Sequence, residues 1–166
     1  MLFRSDTAIA CAHHVRRFGL APKIALISHS DFGSADTPSA LKMREALRLL
    51  RERAPDLEVD GEMQADTALS LVARKRVIAN SRLEGEANVL IFPNLDAGST
   101  ALQLTRVIAD ALPIGPILIG PAKPAHVLTP SVTARGIVNM TAIAAAEAAS
   151  EPTLFSRLPN LAPRQL

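Results

Sequence analysis

Residues 114–140 read IGPILIGPAKPAHVLTPSVTARGIVNM. The apolar run at 114–119 predicts a strand, the Pro- and Gly-punctuated residues 120–130 a loop, and the segment after Thr133 the first turn of a helix. A strand that opens through a loop into a helix is the repeating unit of an open α/β sheet. Such sheets keep their ligands outside the carboxyl ends of the strands.

Upstream the same unit recurs. KIALIS at 23–28 has the length and apolarity of a buried parallel strand, and the polar HSDFGSADT at 29–37 is the loop after it. Thr37 is suited to cap the next helix, with Pro38 in its first turn. Ala40, Met43, Leu47 and Leu50 then follow at helical spacing, and the helix is expected to end near Arg53, ahead of Pro55. Residues 57–63 read as a second strand interrupted at Asp60-Gly61, and 66–79 as a helix. Residues 88–92 (NVLIF) read as a third strand closed by Pro93, 94–99 (NLDAGS) as a loop, and 100–112 as a helix. A first helix over 5–18, capped by Ser5 and stopped by Gly19, and an Ala-rich helix ending at about residue 149 flank the series.

This alternation predicts an α/β fold, a three-layer, doubly wound, mainly parallel sheet with helices on both faces. The loops at 29–34, 60–64, 93–98 and 120–130 are then expected to converge at one edge. The expected organisation is an N-terminal helix entering the lobe over 1–22, the α/β lobe over 23–130, a C-terminal helix over 131–150 and a Pro-containing tail over 151–166. A helix placed before any strand suggests a piece whose beginning belongs to something larger.

The 166 residues, 48% hydrophobic and 20% charged, suffice for one ordinary core. With five Phe and no Trp or Tyr, base stacking has few residues to use. The net charge of +2 is spread over segments such as Lys42-Met43-Arg44-Glu45, so neither observation points to nucleic acid. Cys11 is the single cysteine, which excludes an internal disulfide. No apolar run reaches membrane-spanning length and the N-terminus lacks a signal-peptide core, so the expectation is a cytoplasmic protein without membrane contact.

Gly33, Gly61, Gly98 and Gly120 stand near predicted strand ends, but neither the dinucleotide nor the P-loop glycine pattern is present. The Ser28-His29-Ser30 segment offers hydroxyl and imidazole groups to an anion or a carbonyl, or is simply a satisfied loop. Asn139 is either a buried amide or a ligand contact, and Lys123 either meets an anion or is a solvated charge. Asp60, Asp66, Asp96 and His126 lack metal-ligand spacing, so no metal is expected in this chain.

Taken together, SHSDFGS (28–34), DGEMQADTA (60–68), FPNLDAG (92–98), GPILIGPAKP (115–124) and IVNM (137–140) resemble the phosphate acetyltransferase and butyryltransferase family, in the family's order. The runs SHSDFGSADTPSALKMREAL, ERAPDLEVDGEM and NSRLEGEANVLIFPNLDA look closest to the carboxy-terminal acetyltransferase-like domain of bacterial NADP-dependent malic enzymes. The resemblance implies a lobe of the isocitrate and isopropylmalate dehydrogenase type. It would be the second of two, with a last helix packing toward the first.

Active members carry a Ser-Arg pair and, six residues after the Arg, an Asp. This chain has Thr129 and Pro130 at the pair and Gly136 at the Asp. Pro130 brings no cation to balance acetyl phosphate and Gly136 no base for the CoA thiol. The resemblance therefore implies a catalytically inactive regulatory domain. It would bind acetyl-CoA as an allosteric inhibitor of malate conversion to pyruvate and CO2, and would mediate oligomerisation as a homodimer. NADP and a divalent metal would belong to the malic enzyme catalytic domain. A working acyltransferase, with Arg135 or Lys123 as substitute cation, and a purely structural oligomerisation lobe are the alternatives. Loop convergence and the resemblance mark Ser28, His29, Ser30, Asn94, Asp96, Lys123, Thr129, Ser131 and Asn139 as acetyl-CoA contacts.

Overall fold

A computed structural model describes residues 2–121, 123–130 and 132–149. It divides into two compact units, Met1–Thr105 and Arg106–Leu166. The expected tail and Ser131 lie outside the described residues.

In the first unit, β1 (Ile24–Ile27), β2 (Val59–Met63) and β3 (Val89–Ile91) form a parallel sheet in the order β2-β1-β3. Ile24 is in register with Val59 on one side and Val89 on the other, so the three strands end at a common edge. Side chains alternate across β1. Ile24 and Leu26 pack with Ala8 and Ala12 of α1 (Leu2–Arg17) and with Met43 and Leu50 of α2 (Pro38–Arg53). Ala25 and Ile27 face the other way, onto Met63, Leu83, Ala87 and Ala68 of α3 (Ala65–Leu69). Helices therefore cover both faces, the condition that allows a parallel strand to be apolar throughout.

α2 forms as its sequence predicts. Thr37 Oγ1 accepts from the Ala40 N–H at 3.4 Å, Pro38 occupies the first turn, and Ala40, Met43, Ala46, Leu47 and Leu50 are buried. Burial of Met43 or Leu50 contributes about 1.5–3 kcal/mol each. Arg53 at its far end pairs with Asp6 at 2.6 Å and also donates to Ser5 Oγ at 3.2 Å, tying α2 to α1. Ser5 is thus an internal, fully buried residue of α1 and not its cap.

Other expectations are corrected. The single helix over 66–79 is two, α3 and α4 (Leu71–Val77), because Ser70 is extended and its hydroxyl accepts from the Ala73 N–H at 3.2 Å to start α4. Arg74 of α4 is 1% exposed and donates to the carbonyls of Thr67, Ala68, Leu83 and Gly85, pinning the following connection onto α3. Asn94 Oδ1 accepts from the Ala97 N–H at 2.8 Å, so α5 (Leu95–Ile108) begins in what had read as a loop and ends before 112. β2 runs through Asp60 and Gly61 as one strand, with its register to β1 shifting between Gly61 and Met63.

In the second unit the expected strand at 114–119 does not form. Pro116 lacks an N–H, Gly115 has a φ of 143°, and the Leu118 N–H donates to His126 Nδ1 at 3.3 Å instead of to a neighbouring strand. His126 Nε2 lies 3.3 Å from Glu147 of α6 (Ala134–Ala149), so the imidazole links the extended segment to that helix. Thr133 caps α6, its Oγ1 accepting from the Gly136 N–H at 3.1 Å.

Candidate functional site

The carboxyl edge of the sheet is built first by the loop after β1. Ser28 extends the pairing, its N–H donating to Met63 O at 2.9 Å, and the chain then turns back over β2. The Phe32 N–H donates to Glu62 O at 2.7 Å, and Asp31 Oδ1 accepts from the Gln64 N–H at 2.7 Å. Phe32 adopts a φ of 45° and Gly33 a φ of 93°. A left-handed bulky residue costs of order 1 kcal/mol, so the surrounding bonds must hold it there.

The centre of this arrangement is Glu62, fully buried in β2. Its Oε1 accepts from the Ser30 hydroxyl at 2.8 Å and from the Gly33 N–H at 2.9 Å. Its Oε2 lies 3.4 Å from Arg44 Nε of α2, while Arg44 Nη2 reaches Asp36 Oδ1 at 2.7 Å and also donates to Ala35 O. Ser30 is likewise fully buried, and its hydroxyl accepts from the Ala35 N–H at 3.0 Å. Ser30 therefore shapes the loop from within. Ser28 is 8% exposed and its Oγ accepts from the Ser30 N–H at 3.2 Å. His29 is exposed, with Nε2 3.3 Å from Thr37 Oγ1, the hydroxyl that caps α2.

Beside this loop, β3 ends at Ile91 and leads into Phe92 and Pro93, where Lys42 Nζ donates to Pro93 O at 2.7 Å. Asn94 and Asp96 follow, both exposed at the start of α5. Ser28, His29, Asn94 and Asp96 thus issue from adjacent strands at one edge. The loop after β2 begins at Gln64 and not at Asp60. Asp60 is 2% exposed and accepts from Ser81 Oγ at 2.9 Å, the Arg82 N–H at 2.8 Å, the Gly61 N–H at 3.1 Å and Arg51 at 3.3 Å, a structural anchor. Lys123 and Thr129 are exposed and Asn139 half-buried, all within the second unit.

Glu62 and Arg44 were not singled out from the sequence. The signal lay in β2 itself: a strand covered on both faces that carries Asp60 and Glu62 must supply partners for both. Among the described residues no group of three or more His, Cys, Asp or Glu is placed to hold a metal, and no helix is long and apolar enough to cross a membrane.

A family model described as phosphate acetyl/butaryl transferase matches residues 4–145. The chain is 57% identical over 143 residues to an NAD-dependent malic enzyme of Rhizobium meliloti, which covers 86% of this chain and 19% of that protein. It is 48% identical over 149 residues to an NADP-dependent malic enzyme of Escherichia coli, covering 89% and 20%. It is 45% identical over 139 residues to a phosphate acetyltransferase of Paracoccus denitrificans, covering 83% and 44%. The EutD phosphotransacetylase of Staphylococcus aureus superposes with a TM-score of 0.82 at 31% identity, over 87% of this chain and 45% of that one. A phosphotransacetylase of Streptococcus pyogenes gives 0.84 at 33%, over 87% and 44%. The chain thus spans about a fifth of the malic enzymes and under half of the acetyltransferases. With the same parallel α/β architecture and a match over most of its length, the chain belongs to the phosphate acetyl/butaryl transferase family.

Proposed function

We propose that this chain is a regulatory, non-catalytic acetyltransferase-like module that binds acetyl-CoA and acts on a malic enzyme catalytic domain. The observation that carries the reading is Gly136. It stands where the family resemblance expects an acidic base, and a Cβ built there would lie 2.7 Å from Val132 Cγ2. A CoA thiol near its reference pKa of about 8.5 is mostly protonated at neutral pH, so transfer needs a base that glycine does not supply. Pro130, at the position of the expected cation, supplies no charge to an acyl phosphate.

Binding has no such requirement, since donors and shape suffice. Ser28, His29, Asn94 and Asp96 are the proposed contacts at the sheet edge, with Lys123, Thr129, Ser131 and Asn139 proposed from the second half of the chain. Inhibition requires that acetyl-CoA bind two arrangements of the assembly unequally, and by linkage malate and coenzyme then alter acetyl-CoA affinity by the same factor. NAD or NADP and a divalent metal belong, in this reading, to the malic enzyme domain. That domain would convert malate to pyruvate and CO2 in the cytoplasm. Self-association into a homodimer is the second part of the reading. Leu104, Val107 and Ile108, at helical spacing on one side of α5, are 55%, 82% and 80% exposed, which favours an apolar partner surface.

The test is calorimetric titration of acetyl-CoA, run beside an assay of acetyl transfer from acetyl phosphate to CoA. Binding without turnover is expected. Turnover overturns the non-catalytic reading, and absence of binding overturns the ligand. Light scattering that returns a monomer removes the dimer.

A further inference from the structure

The loop that carries Ser28 and His29 has no regular structure of its own, and one buried side chain beneath it, Glu62, accepts from two of its residues. Glu62 Oε1 takes the Ser30 hydroxyl at 2.8 Å and the Gly33 N–H at 2.9 Å, and its backbone O takes the Phe32 N–H at 2.7 Å. Its Oε2 faces Arg44 Nε at 3.4 Å, and Arg44 holds the loop's far end through Asp36 and Ala35. A fully buried carboxylate without partners would be costly, and here its partners are donors of this loop together with Arg44. What the loop presents outward is the exposed His29 imidazole, steadied by Thr37 Oγ1 at 3.3 Å.

We infer that Glu62 is a positioning residue. By fixing Ser30 and Gly33 it sets the angle at which Ser28 and His29 meet acetyl-CoA, without touching the ligand. This rests on the acetyl-CoA reading above, and two readouts separate the inferences.

The first readout needs no ligand. In NMR hydrogen exchange, the Gly33 amide of Glu62→Ala should exchange at least about tenfold faster than in the parent, while the β1 amides of Ala25 and Leu26 keep their protection. Glu62→Gln retains an acceptor oxygen for Ser30 and Gly33 and should restore most of the Gly33 protection; Glu62→Met, of similar length and without an acceptor there, takes the place of the alanine variant if that does not fold. Unchanged Gly33 exchange in Glu62→Ala, or in Glu62→Met where that variant replaces it, overturns the inference whatever the ligand proves to be.

The second is a double-mutant cycle on acetyl-CoA affinity. Glu62→Ala and His29→Ala should each weaken binding by about tenfold and together by little more, because one acts through the other. Fully multiplicative losses overturn the positioning role. A parent protein that binds no acetyl-CoA overturns the ligand alone, and the exchange result still decides the loop.

Discussion

The Ser30 hydroxyl and the Glu62 carboxylate, both removed from solvent, share a 2.8 Å hydrogen bond that fastens the loop after β1 to the neighbouring strand. Ser30→Ala removes that donor from a buried charge and leaves the Ala35 N–H without its acceptor. We expect a loss of about 1–3 kcal/mol. Urea denaturation checks it, with a lower midpoint and an unchanged slope.

Gly61 sits in β2 with a φ of 141°, and a Cβ there would fall 2.8 Å from Leu26 O of β1. Gly61→Ala must push the two strands apart, and a destabilisation of about 3 kcal/mol or more is expected. Gly98, inside α5, would meet only Phe92 at 3.6 Å. Gly98→Ala should therefore gain about 0.5–1 kcal/mol. Thermal melts of the pair, moving in opposite directions, are the measurement.

Burial pushes the Cys11 thiol above its ordinary pKa, which starves it of thiolate at neutral pH. Reaction with a disulfide reagent should be slow in the native protein and rise at least about tenfold once denaturant exposes α1. Rapid native labelling would contradict the packing of this helix.

Burial, then Arg17 and Arg16, lower the pKa of His13 in the folded state. The unfolded chain therefore binds more protons as the pH falls through the ordinary imidazole value of about 6.5. Stability tied to this group is complete above that value and declines below it as His13 is forced to charge. His13→Gln should flatten the slope of melting temperature against pH between about pH 5 and 7. An unchanged slope would assign the acid sensitivity elsewhere.

Much of the first unit was legible because its signals are local. IALI at 24–27 is apolar at every position because both faces of β1 are covered, and Thr37-Pro38 marks the start of α2 while Met43, Leu47 and Leu50 mark its buried face. The errors came where hydrogen bonds override hydropathy. Residues 114–119 are apolar enough for a strand, yet Gly115 and Pro116 break the ladder and His126 takes the Leu118 N–H. Ser70 splits a helix, and Asn94 starts one inside a Gly-containing turn.

The site was read through its polar loop residues, and among them the structure separates inner from outer. Ser30 faces inward and His29 outward, a distinction that period and composition do not carry. Glu62 stands just after the Asp60-Gly61 pair that reads as an interruption of the strand, and nothing local marks it. Its meaning depends on Ser30, Gly33 and Arg44, roughly thirty or fewer positions away in sequence.

Val132 and Gly136 also bear on the routes by which this sequence can change. An aspartate at 136 would place its first carbon 2.7 Å from Val132 Cγ2, a methyl that must give way before the acid fits. The two positions are therefore coupled: the room for an acid in this turn depends on which way the Val132 side chain points, or on how small residue 132 is. A change at 132 alters what 136 tolerates, so the effects of substitutions at these two positions are expected not to add.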